Sequence, residues 1–240
     1  MSDLAVLTFV VLPVALAVAL GWATFEAWRR SGASLPASRR AAALTLTAAA
    51  VWMTATWIAA ASGVLGQWDR RPPPFAVLVL ATLVLAVVLA LGPVGTRLSK
   101  YIPLWMLVGV HAFRLPLELA MHQMYERGVM PVHMSYSGRN FDIVTGVTAI
   151  LVAWLVRSGR GGRGLVLAWN CLGLALLVNV VTVAILGTPV FAYFGPEHLN
   201  VWVTQAPFVW LPAVMVLAAL AGHILVFRAS SGTVNRDTQR

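Results

Sequence analysis

Residues 4–27 read LAVLTFVVLPVALAVALGWATFEA, with twenty-two uncharged residues before the first carboxylate at Glu26. At 1.5 Å per residue a helix of that length reaches ~36 Å, enough to cross the ~30 Å hydrocarbon core of a bilayer. Only a structure that satisfies its own backbone hydrogen bonds survives there, so the stretch predicts a membrane-spanning helix. It lacks a basic segment ahead of the apolar run, and its first positive charges, Arg29 and Arg30, follow it; we read a retained helix, not a cleaved signal. The whole chain has the same character. Its 240 residues are 60% hydrophobic and only 10% charged, with a mean hydropathy of +0.82, far from the ~25% charge of a soluble domain.

Six further segments meet or nearly meet the same test: Ala41 to Val64, Pro74 to Val94, Tyr101 to Tyr125, Asp142 to Val156, Gly164 to Gly187 and Ala206 to Phe227. The fold class is therefore all-α, a single transmembrane domain over residues 1–240 built as a seven-helix bundle of monomeric scale. The connections are rich in Gly, Pro, Ser and Arg and are too short for a second domain. Positive charge alternates between them. Arg29, Arg30, Arg39, Arg40, Arg97, Lys100, Arg157, Arg160, Arg163, Arg228, Arg236 and Arg240 fall on one face, and only Arg70, Arg71, Arg127 and Arg139 on the other. Twelve against four puts the N-terminus outside and the C-terminus in the cytoplasm. The net charge of +9 thus serves topology and not nucleic acid, and the partner implied is the lipid bilayer of a bacterial inner membrane. Trp22, Trp28, Trp68, Trp105, Trp154, Trp169, Trp202 and Trp210 stand near helix ends, as interfacial anchors do.

The fourth span departs from the others, because His111, Arg114, Glu118, His122 and Glu126 follow one another at intervals of three, four, four and four. Those intervals confine the five side chains to an arc of ~120° on one helical face. A charge facing lipid costs ~2.5–3.5 kcal/mol even on the mildest scale, so the stripe must face other helices or a wet cavity, with the fourth helix near the centre. Pro116 within it removes a backbone hydrogen bond and predicts a kink. The stripe approaches the outer face from Arg114 onwards, and the connection after it adds His133, Tyr136, Arg139 and Asn140. The fifth span has only 14 uncharged residues, Ile143 to Val156, or ~21 Å, so Arg139 and Asp142 are expected below the outer interface beside the fourth helix. Arg114 and Glu118 should pair with each other or with Asp142 and Arg139. Glu197 and His198 could cap the cavity, and Asn170, Asn179 and Thr182 could hydrogen-bond into the bundle. His223, near the cytoplasmic end of the last helix, reads as interfacial.

Convergent His, carboxylate and Arg side chains suggest an intramembrane enzyme acting on a lipid-like or small polar substrate. His122 and Glu126 would serve as base and acid with Asp142 orienting, while His111, Arg114, Glu118, Arg139 and His198 form the substrate-binding charge network. A proton- or cation-coupled carrier and a structural or sensory subunit are the alternatives. A metal-free network is the first reading of the site, and a divalent ion at His122, Glu126 and His133 the second. The single Cys171 excludes disulfide and Cys-based metal centres. Retinal would need a mid-helix Lys, and the only lysine is Lys100 in a connection. Haem is not expected, since no two His match in depth on facing helices. A voltage sensor's ladder of Arg is absent. Seven spans also suit small sugar carriers made of two three-helix repeats, but Pro13 and Pro212 do not repeat between the triplets and no Pro-Gln motif occurs.

The run Phe113-Arg-Leu-Pro-Leu-Glu-Leu-Ala-Met-His122, followed by Gly138-Arg-Asn-Phe-Asp142, resembles segments of uncharacterised bacterial polytopic membrane proteins over about 30 residues. The resemblance implies weight for Arg114, Glu118, His122, Arg139 and Asp142, and no activity.

Overall fold

Proline and glycine cut the apolar chain into helices. The computed structural model describes residues 4–231; Arg236 and Arg240, placed above on the basic face, lie outside them. In order the helices are α1 (Leu4–Arg30), α2 (Leu35–Ala61), α3 (Pro74–Leu91), the short α4 (Pro93–Tyr101), α5 (Leu104–Gly109), α6 (Arg114–Glu126), α7 (Ile143–Arg157), α8 (Arg163–Leu186) and α9 (Val216–Ser231). No strand occurs among the described residues. Pro74 and Pro93 each stand in the first turn of a helix, where a missing N–H costs nothing. α6 ends where Gly128 takes φ +70°, so that Gly128 N–H donates to the Tyr125 carbonyl at 2.8 Å and Val129 N–H to that of Met124 at 3.0 Å.

Six helical stretches are long and apolar enough to cross a membrane: Leu4–Arg30, Leu35–Ala61, Pro74–Leu91, Leu104–Glu126, Arg163–Leu186 and Leu211–Ser231. The remaining predicted segment forms α7, apolar but only 15 residues long. Lys100, expected in a connection, lies on α4. Two irregularities fall at prolines. Pro116 has no N–H for the Ala112 carbonyl and its ring crowds that oxygen, and the preceding turn, Val110–Phe113, tightens to 3₁₀ between α5 and α6. Pro212 sits in a π-helical turn, Leu211–Met215, that leads into α9. The Ala213 carbonyl in that turn accepts the Trp52 indole N–H at 2.8 Å, which ties α2 to the last helix.

The helix stripes pack into two apolar clusters. One lies toward the end that carries the long connections 127–142 and 187–210, and includes Phe9, Leu117, Met121, Met124, Trp202 and Met215. The other lies toward the end rich in arginine and includes Ala27, Val108, Val152, Val166, Trp169 and Val226. At the basic end guanidinium groups lie over indoles: Arg97 over Trp28 at 4.3 Å and Arg157 over Trp105 at 4.8 Å. Trp169 and Trp202, expected at interfaces, are instead buried in the bundle, because each packs its ring into one of the two cores. The expected central position of the fourth helix is shared with the last. Of the most apolar 18 residues in each stretch, half are buried in Leu211–Ser231 and 44% in Leu104–Glu126, against 11% in Leu35–Ala61.

Candidate functional site

Between the two apolar clusters lies a polar layer centred on Arg114, the first residue of α6, which is 1% exposed. Its Nη1 donates to Asp142 Oδ1 at 2.6 Å, and its Nη2 faces His223 Nε2 at 3.3 Å. The pairing with Asp142 depends on a close approach of α7 to the start of α6. A Cβ on Gly146, one turn after Asp142, would collide with the backbone at Leu115 and Arg114, so only glycine lets the two helices meet there. Asp142 Oδ1 also accepts from Thr145 Oγ1 at 3.0 Å.

His223 is held from behind by Asn170. The Asn170 Nδ2 donates to the His223 carbonyl at 3.0 Å, which leaves its Oδ1 to accept from His223 Nδ1 at 2.8 Å. That bond puts the proton on Nδ1 and leaves Nε2 free to accept from Arg114. The His223 ring lies against that of His111, with centroids 4.2 Å apart, and His111 meets the edge of Trp169 at 5.4 Å. Both imidazoles occupy space vacated by glycine: a Cβ at Gly222 would stand 2.7 Å from His111 Nε2, and one at Gly173 2.6 Å from His223 Cε1. His111 is fully buried, and neither of its ring nitrogens has a hydrogen-bond partner.

One turn beyond Arg114, Glu118 is 2% exposed and receives the Asn140 amide at 2.8 Å. Asn140 does more than this. Its second amide proton goes to the Met134 carbonyl at 3.0 Å, and its Oδ1 accepts from the Asp142 N–H at 3.0 Å. The connection from 127 to 142 is thereby folded into the bundle, with Ser135 and Asn140 fully buried.

Glu118, Arg114 and Asp142 line one wall of a cavity of about 70 Å³ between α3, α6, α8 and the start of α9. A single water needs ~10–15 Å³, so the space holds about five water-sized groups. Its other walls are apolar, among them Phe75, Phe113, Met121 and Met215. Two further polar groups line it, Thr82 and Asn200; Thr82 Oγ1 and Asn200 Oδ1 are buried without a hydrogen-bond partner.

A family model described as a domain of unknown function, DUF8737, matches residues 73–229, well over half of the chain. The chain belongs to that family. Every side chain of the polar layer falls inside the DUF8737 segment, whereas α1 and α2 precede it. No curated protein and no solved structure matches the chain.

Several side chains singled out in the sequence do not join this layer. His122 places Nδ1 2.9 Å from Ser135 Oγ, stacks on Tyr136 at 4.3 Å, and pairs loosely with Glu126 at 3.5 Å. It does not meet Asp142, which is engaged by Arg114, so the trio His122, Glu126 and Asp142 is not assembled. His133 is buried on the ring of Phe194 at 4.1 Å, away from the His122–Glu126 pair. Among the described residues no three His, Cys, Asp or Glu side chains are grouped to hold a metal ion. Burial, with His198 and Arg139 nearby, pushes the His133 imidazole down to about 4. Arg139, expected beside the fourth helix, is exposed and extends over Phe194, because the backbone at 139 is fixed by Asn179 donating to its carbonyl at 2.7 Å. His198 is exposed next to Glu197 at 3.7 Å. His223, read as interfacial, is fully buried at the centre, since Gly173 on the facing helix leaves room for its ring. Asn200 and Thr82 carried no signal in the sequence beyond being polar.

Proposed function

We propose that this DUF8737 member is a seven-span protein of the cell membrane, one domain throughout, with its N-terminus outside and a pocket in the outer half that binds a small amphipathic molecule. α7 counts as the seventh span because the folded-in connection 127–142 carries the chain below the outer surface before α7 begins. The orientation is supported by the uneven division of arginine and by the stacking of Arg97 and Arg157 on tryptophans at the basic end. The observation that carries the reading is the cavity, with a wall of Arg114, Glu118 and Asp142, two unsatisfied polar atoms and otherwise apolar lining.

Binding is favoured over hydrolytic or transfer chemistry because the two carboxylates on the wall are each engaged, Asp142 by Arg114 and Glu118 by the Asn140 amide, and most of the remaining lining is apolar. The residues first considered as acid and base, His122 and Glu126, do not line it. A carrier is the second reading, favoured by the polar chain that runs from Glu118 through Asn140, Asp142, Arg114 and His223 to His111.

The test is the small-molecule content of gently purified protein, compared with an Ala184→Phe variant that fills the cavity from a half-buried position. The native chain should carry at least one small molecule that the variant loses about tenfold or more. Identical content in both would sink the reading.

A further inference from the structure

The charges on the cavity wall do not cancel. Arg114 contributes one positive charge and Glu118 and Asp142 two negative ones, and among the described residues no other ionisable side chain lines the space. Arg114 is committed to Asp142 at 2.6 Å. Glu118 has no cationic partner within ion-pair distance among the described residues, only the neutral Asn140 amide. Of the groups that face it, α3, α8 and α9 bring no ionisable side chain to the wall, and His122, one turn further out, is turned to Ser135. The α1 helix, which packs on α6, keeps Glu26, Arg29 and Arg30 at the far, basic end. A carboxyl buried in this way is neutralised either by a proton or by a cation brought to it.

The unsatisfied atoms indicate which kind of cation fits. Asn200 Nδ2 is fixed on the Ala184 carbonyl at 3.1 Å, so its free Oδ1 can only accept. Thr82 Oγ1 can accept as well. Together with the Glu118 carboxylate these groups present hydrogen-bond acceptors on the cavity wall, among the aromatic faces of Phe75 and Phe113 and the thioethers of Met121, Met134 and Met215. Aromatic faces and polarizable sulfur both tolerate a cation. Two donors are also free: the Thr82 hydroxyl, whose proton can turn away from a bound ammonium, and Arg114 Nε, which belongs to a guanidinium whose charge Asp142 already balances.

We propose that Glu118 is an exchange site at which a protonated amine carrying a short apolar chain replaces a proton. The ammonium enters with its N–H groups toward Glu118, Asn200 and Thr82, the carboxyl proton leaves to solvent, and the charge of the cavity is unchanged. This rests on the cavity being the ligand site.

The experiment uses the full chain in lipid nanodiscs with three probes of one size: n-butylammonium, 1-butanol and butyrate. Binding is followed by calorimetry between pH 6 and 8 in buffers of different ionisation heat, for the native chain, Glu118→Gln and Ala184→Phe. The proposal expects n-butylammonium to bind the native chain with release of about one proton. Its apparent Kd should weaken up to about tenfold for each unit of acidification. Glu118→Gln should weaken it at least about tenfold while leaving 1-butanol binding intact. Binding of 1-butanol or butyrate that Ala184→Phe abolishes, without proton-coupled binding of n-butylammonium, overturns the exchange site and leaves the cavity standing. No difference between native chain and Ala184→Phe for any probe overturns both. Proton release by the native chain decides the matter even where Glu118→Gln fails to fold.

Discussion

The stripe on the fourth span divides into two regions that share a helical face and little else. His111, Arg114 and Glu118 are at most 2% exposed, whereas the His122 and Glu126 side chains are 21% and 62% exposed. Spacing sets the face, and what packs over each position sets the depth. The inner three are covered by Asn140 and Asp142, at the entry to α7, and by His223, on the last helix, so two distant parts of the chain close over them. Of the outer two, His122 meets the connection that follows its own helix, through Ser135 and Tyr136, and Glu126 is paired loosely with His122. The same periodic pattern thus yields a buried charge network at one end and a more exposed pair at the other.

The largest effect should come from breaking the inner pair. Arg114→Met or Asp142→Asn leaves one charge buried without its partner, at a cost of ~3–5 kcal/mol, while the double variant should be far milder. Unfolding of the four proteins in detergent measures the coupling. Simple additivity of the two single losses would show that the 2.6 Å contact contributes no coupling of its own.

The contrast also explains what the sequence could convey. The long apolar runs place the helices to within about six residues, because length and charge are one-dimensional properties; the short fifth segment marks Asp142, which is buried, but the same argument put Arg139 beside it, and Arg139 is exposed. The partners of Arg114 are not. His223 is 109 residues away, and what admits it is the absence of side chains at Gly173 and Gly222, a feature that leaves no periodic trace in an apolar run. A signal was present nonetheless. His223 lies well inside an apolar helix, and the rule that an ionisable group at such depth is functional until shown otherwise, used for the fourth span, applies equally to the last. Asn140 was legible only as one polar residue of a loop, since the three bonds of its side chain depend on how that loop folds back.

A second comparison sets His133 against the exposed imidazoles around it. Its folded value of about 4 lies below the ~6.5 of an unfolded chain, so the unfolded state takes up the proton first on acidification. Stability should therefore be unaffected above about pH 6.5, fall between about 6.5 and 4, and level off below that. At pH 4.5 the loss attributable to this residue is on the order of 2–3 kcal/mol. His133→Phe keeps a ring against Phe194 and has nothing to protonate, so its melting temperature should fall less than that of the native chain between pH 7.5 and 4.5. Parallel curves would mean that His133 is hydrated in the folded state.

The smallest effect belongs to the outer pair. His122 and Glu126 are 3.5 Å apart at i,i+4 spacing, with the carboxylate largely in water, and exposed pairs of this kind are worth ~0–1 kcal/mol and weaken with salt. Glu126→Gln should shift stability by less than ~0.5 kcal/mol. His122→Ala should cost more, about 1 kcal/mol, because it also loses the stacking on Tyr136 and the bond to Ser135 that hold the connection down. Measured beside the Arg114 and Asp142 variants, these two separate depth from spacing as the source of the stripe's energetics. A loss at Glu126 as large as that at Arg114 would mean that the outer pair is closed over in the membrane and that the division into two regions does not hold.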